Sequence, residues 1–151
     1  MNIEDAIQTK VNLPEPKKVV LNLLFTHHII LEKMSSILKN YGISVSQYNV
    51  LRILRGQKGN AVNMNLIQER MIAKTSNTTR LVDKLLHKKF VTRNVCINNR
   101  RKMEVQITDE GLSILNQTDP LIDQCEHNFA LNLSHSELIQ LNILLEKYRN
   151  L

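Results

Sequence analysis

The chain has 151 residues, 42% of them hydrophobic, which suits one compact domain or one domain with dimerising extensions and excludes a wholly disordered chain. No apolar run reaches the roughly 18 residues of a membrane span, and the opening MNIEDAIQTK has no apolar run of signal-peptide type, so a soluble cytoplasmic protein without membrane partners is expected. The net charge of +6 is unevenly placed: Arg52 to Lys102 holds thirteen Lys and Arg against Glu69 and Asp83, a local +11, while the remainder nets −5. A positive field of that kind suits a polyanion, the alternative being a solvated Lys/Arg face.

Residues 1–13 read as a loose arm. Pro14 and Pro16 then open a long helical pattern, since proline is tolerated in a first turn whose N–H groups have no partner. Val20, Leu24, His27, Leu31, Met34 and Leu38 recur at helical spacing, Leu23, Ile30 and Ile37 widen the stripe, and Gly42 is a natural stop. That stripe is wider than one packed edge needs, so part of it is expected to face a second subunit. Ser44 to Gln47 reads as a capping box for a helix through Leu54 and Arg55, bracketed by Gly56 and Gly59. Asn63 can cap a short helix through Met71, and Thr75 or Ser76 can cap the next. In that next helix Thr78, Leu81, Val82, Leu85 and Leu86 share one side. Ser76, Asn77, Arg80, Lys84, His87 and Lys88 share the other. The period then switches to two over Val91–Ile97 and Lys102–Ile107, predicting a two-stranded hairpin turned at Asn98–Arg101, where asparagine tolerates positive φ. Thr108 can cap a helix to about Phe129, which Pro120 should kink or interrupt. Ser134 to Glu137 is a second capping box before a final helix carrying Leu138, Leu141, Leu144, Leu145 and Tyr148.

Helix, helix, tight turn, helix, basic hairpin is the order of a winged helix-turn-helix, whose second motif helix enters a major groove while the hairpin reaches phosphates or a minor groove. Arg100 and Arg101 suit such a tip, because a guanidinium fork grips phosphate at two points. The fold class expected is mainly α with a small β-hairpin wing (α+β). Its division is an N-terminal arm and dimerisation helix (1–43), a DNA-binding domain (44–108) and C-terminal dimerisation helices (109–151).

The stretch Ser46–Gly111 resembles the MarR family of transcription regulators. Ser46-Gln47-Tyr48-Asn49-Val50-Leu51 matches the opening of the family's second helix, and Thr78-Thr79-Arg80-Leu81-Val82-Asp83-Lys84-Leu85 its recognition-helix core. Phe90-Val91-Thr92-Arg93 matches the start of its wing, Asn99-Arg100-Arg101 the wing signature, and Gln106-Ile107-Thr108-Asp109-Glu110-Gly111 the exit. The chain departs from the pattern at Asn99, where the family usually has Asp, at Lys89, where it usually has Gly, and at Lys74, where a small capping residue is common. The resemblance implies a homodimeric, ligand-responsive regulator, a repressor, that reads a pseudo-palindromic operator in double-stranded DNA.

The DNA-contacting residues expected are Thr75, Ser76, Asn77, Thr79, Arg80, Lys84, Arg93, Asn99, Arg100, Arg101 and Lys102. For Thr75 a capping role is as good a reading, and Arg93 could equally be a structural ion-pair partner. The resemblance also implies a small aromatic or phenolic effector near the junction of dimerising and DNA-binding regions. His27 and His28 are the candidates to receive its carboxylate, against the reading of His27 as an interface residue and His28 as merely exposed. Cys96 and Cys125 have no CxxC partner or zinc-type His spacing, so no metal is expected; they are expected to be buried or idle thiols, and no cofactor is expected. No P-loop, GxGxxG or HExxH is present, which speaks against an enzyme. The other reading is a winged-helix module for nonspecific nucleic-acid packaging or protein contact.

Overall fold

In the computed structural model, which describes residues 1–74 and 76–150 except the side chains of residues 100 and 101, one apolar core gathers residues from distant segments. Leu38 and Ile43, Tyr48, Val50, Leu51 and Leu54, Ile67, Val82, Leu85, Val105, Leu115 and Ile122 all belong to it. It is built by α1 (Ile3–Ala6), α2 (Glu15–Lys39), α3 (Val45–Arg55), β1 (Val62–Asn63), α4 (Met64–Arg70), α5 (Thr78–His87), β2 (Val91–Cys96), β3 (Asn99–Ile107), α6 (Asp109–Ala130) and α7 (His135–Arg149).

Local chemistry sets most of the boundaries. Pro14 precedes α2 with Pro16 inside its first turn, and Gly42, at φ +69°, ends it. There the Ile43 N–H returns to the Leu38 carbonyl and the Gly42 N–H to Lys39, closing the left-handed turn that glycine permits. Both expected capping boxes form, at Ser44/Gln47 and at Ser134/Glu137. Asn63 and Thr108 cap α4 and α6, accepting from the backbone N–H of Leu66 and Gly111.

Several expectations need correction. The arm is not loose throughout: Asn2 caps α1, Ile3 and Leu13 are buried, and Lys18 pairs with Glu4 at 2.8 Å. Helix α6 runs unbroken through Pro120. Pro120 and Asn116, whose carbonyl it cannot serve, are both exposed, so water can take that carbonyl. The sheet has three strands in the order β1-β3-β2, because Val62 and Asn63 pair with Val105 and Glu104. A strand of two residues leaves no readable periodicity. The hairpin turn falls on Ile97–Asn98, between Cys96 and its partner Asn99. Neither turn residue has positive φ. A turn without positive φ does not match the right-handed twist of its strands, and the register shifts immediately after Val95.

Candidate nucleic-acid interface

Helix α5 is strongly two-sided. Thr78, Val82 and Leu85 are buried and Leu81 and Leu86 partly so, while Thr79, Arg80, Asp83, Lys84 and His87 are exposed. Its first turn is pinned from the preceding helix. The Thr78 hydroxyl bonds Gln68 Oε1, and Gln68 Nε2 donates to the Lys74 carbonyl. One α4 side chain thus holds both the turn and the start of α5. Asn49 of α3 steadies the same turn, accepting from the Ile72 N–H at 3.1 Å. The N-cap is Asn77, not Ser76: Asn77 Oδ1 accepts from the Arg80 N–H at 3.0 Å. Its carbonyl oxygen is therefore engaged, leaving the amide N–H pair to face outward contacts. Thr75 lies outside the described residues.

At the far end of α5, Lys89 takes φ +64° where glycine would be unstrained, at a cost of about 1 kcal/mol. The Phe90 N–H returns to Leu85 and the Lys89 N–H to Leu86, while Thr108 Oγ1 donates to the Lys89 carbonyl at 2.8 Å. Those bonds hold the strained residue, and with it the angle at which the wing leaves the helix. Gly111 completes the joint. A Cβ there would press into the Phe90 carbonyl oxygen and lie 2.8 Å from Ile107 Cγ1, so α6 can start against the wing base only without a side chain.

The charges on this surface are sorted. Asp83, the acid within α5, is bridged by Arg93 of β2 at 2.7 Å. Arg93 thereby ties the wing to the helix, the structural reading of that residue. Arg80 and Lys84 make no ion pair among the described residues, and both are exposed. Asn99 and Lys102 lie exposed on β3. Arg100 and Arg101 follow the turn in sequence, but their side chains lie outside the described residues.

His27 and His28, the candidates for an effector, stand apart from this surface, as expected of a site nearer the dimerising helices. Both are exposed on α2, and neither lines either of two cavities beside that helix. One cavity, about 710 Å³, lies between α2 and α6, lined among others by Lys33, Tyr41, Cys125 and Phe129. The other, about 670 Å³, lies between Val19 and Leu23 of α2 and Leu141, Leu144 and Tyr148 of α7. Helix α7 has no buried residue; Ile139 and Ile143 are exposed as well as Leu141 and Leu144.

A further link was not legible in the sequence. Tyr48 Oη donates to Asp119 Oδ1 at 2.6 Å and Arg55 Nη1 donates to Oδ2, fastening α3 to α6, with the Arg52 guanidinium 5.6 Å from the Tyr48 ring centre. Burial, then the bond to Asp119, pushes the tyrosine hydroxyl far above its ordinary value. Burial by itself would raise Asp119, but its bonds from Tyr48 and Arg55 and the positive charges of Arg55 and Arg52 outweigh it and hold the carboxyl low. The partners are 71 and 64 positions apart in sequence, so no spacing rule reveals them.

The MarR family profile matches residues 43–103, from the end of α2 to the returning wing strand. The Transcriptional repressor MprA of Escherichia coli (strain K12) is 26% identical over 118 residues, covering 78% of this chain and 67% of that protein. The structure of a MarR transcription factor from Planctomyces limnophilus is 28% identical, with a TM-score of 0.70 over 91% of this chain and 98% of the other. A MarR-like regulator from Bacillus cereus, 22% identical, superposes with a TM-score of 0.79 over 89% and 95% of the two chains.

Proposed function

Because this chain belongs to the MarR family of winged-helix DNA-binding transcription regulators, we propose that it acts as a ligand-responsive repressor, reading a pseudo-palindromic operator as a homodimer. One observation carries the reading: α5 offers Arg80 and Lys84 without carboxylate partners among the described residues, while Asp83 beside them is neutralised by Arg93. A solvated face would gain from keeping Asp83 near its own cations; here the acid is turned to the wing instead. Thr79, Arg80 and Lys84 meet the major groove, with Ser76 and Asn77 at the dipole's positive end facing a phosphate. Thr75 joins them. Asn99, Arg100, Arg101 and Lys102 of the wing follow the backbone into the neighbouring minor groove.

The dimer reading rests on α7. It is apolar on more than one side, and its own chain covers none of its residues fully. A two-fold partner buries both helices and sets two recognition helices a DNA turn apart. An aromatic or phenolic acid reaching His27 and His28 would bind beneath such a partner, since both are exposed among the described residues.

Selection from a randomised duplex pool, followed by salt titration on the selected and on bulk DNA, tests the reading. A selected inverted repeat, bound with clear preference at equal salt, supports it; equal binding with equal salt slopes favours nonspecific packaging. Sedimentation is expected to give a dimer at micromolar concentration, and a stable monomer there would refute the two-fold arrangement.

A further inference from the structure

The apolar alternation of the wing continues past the point where the protein has anything to pack against. Val91 and Ile107 pair at the base and are nearly buried, and Val105 is wholly buried. On the same sheet face, two positions further out, Val95 pairs with Met103, and both are exposed. At the turn itself Ile97 is 97% exposed. A hairpin tip in water is ordinarily polar; this one ends in an isoleucine backed by a valine and a methionine. Cations follow directly in sequence: Arg100, Arg101 and Lys102, with Glu104 the nearest acid. Apolar side chains at the end of a narrow cationic finger suit an occupant that is strongly anionic outside and apolar between its stacked layers, which is duplex DNA approached from the minor groove. The tip is also continuous with the α5 surface, through the Arg93–Asp83 bridge at the wing base.

We propose that Ile97 is a wedge: it presses between two base pairs of the flanking minor groove and partly unstacks them, with Val95 and Met103 seated against the sugars behind it. This rests on the DNA-binding reading above and adds a specificity determinant to it. Unstacking is cheapest at pyrimidine–purine steps such as TA and CA, so the wing selects those steps at a fixed distance outside each half-site, without reading base edges.

The test uses the full-length protein and the duplex it selects from a random pool, with 2-aminopurine placed in turn at each flanking position. Wild-type protein is expected to raise the fluorescence at one step per half-site. Ile97→Ala is expected to bind about tenfold more weakly, lose that signal and lose the TA/CA preference, while keeping its salt slope. Ile97→Leu restores all three. Ile97→Lys gains about one unit of salt slope but no unstacking signal. Selective binding by wild type with no fluorescent step, or Ile97→Ala equal to wild type, overturns the wedge while leaving the DNA reading intact, and would hand the exposed tip to a protein partner. Absence of any selected sequence removes the DNA reading, and the wedge with it.

Discussion

Replacing Asp119 removes one acceptor from two donors of α3, and the two losses differ in size. Tyr48 is 3% exposed, so its hydroxyl loses its Asp119 partner in a largely buried place when the carboxylate goes. An orphaned buried hydroxyl costs about 1–3 kcal/mol. Arg55 and Asp119 keep 35% and 24% of their side-chain surface, and an ion pair that wet contributes only about 0.5–1 kcal/mol. Asp119→Ala is therefore expected to cost about 2–4 kcal/mol in urea unfolding at fixed protomer concentration. Tyr48→Phe takes the donor away and leaves Asp119 its arginine, at about 1 kcal/mol. In the Tyr48→Phe background, Asp119→Ala should then cost about 1–2 kcal/mol less than it does alone. The pH dependence has a definite sign. The carboxyl titrates below its ordinary value in the folded state, so its contribution is complete above the unfolded value of about 3.9 and is lost as pH falls from there through the folded value. The gap between wild type and Asp119→Ala should be flat from pH 5 to 7 and close only in acid. Strict additivity of the two substitutions, or a cost below about 0.5 kcal/mol for Asp119→Ala, would show that this link does not hold α3 to α6.

Arg80→Ala should weaken binding to the selected duplex by about 1–3 kcal/mol and flatten discrimination between sites, with the unfolding midpoint unchanged; titrations on matched and mismatched duplexes check this. Gly111→Ala should destabilise by about 1–3 kcal/mol despite the better helix propensity of alanine, because the added methyl meets the Phe90 carbonyl and Ile107; thermal melts against Ser113→Ala, an exposed site in the same helix, isolate the clash. The double substitution Cys96→Ser and Cys125→Ser should leave DNA binding within a few-fold, and peroxide should not release wild-type protein from DNA; a release abolished in the double variant would reveal a redox role.

What the sequence determined by itself was local. The capping boxes at Ser44 and Ser134, the caps at Asn63 and Thr108, the stop at Gly42 and the two faces of α5 rest on residues within a few positions of each other, and each stands where its spacing predicts. The tertiary structure decided what depends on distant partners. Ser76 and Asn77 are both competent caps by type, and Asn77 has the place because Gln68 reaches across from α4 to hold Thr78 and the Lys74 carbonyl. Arg93 carries the same charge in either of its roles, and the approach of β2 to Asp83 made it a strut. Val62 and Asn63 form a strand only because β3 lies alongside them. Hydrophobic period two in the hairpin could not tell Val91, which finds the core, from Val95 and Ile97, which outrun it. Alternation records which side of a strand a residue takes, whereas burial depends on whether another part of the chain reaches that side.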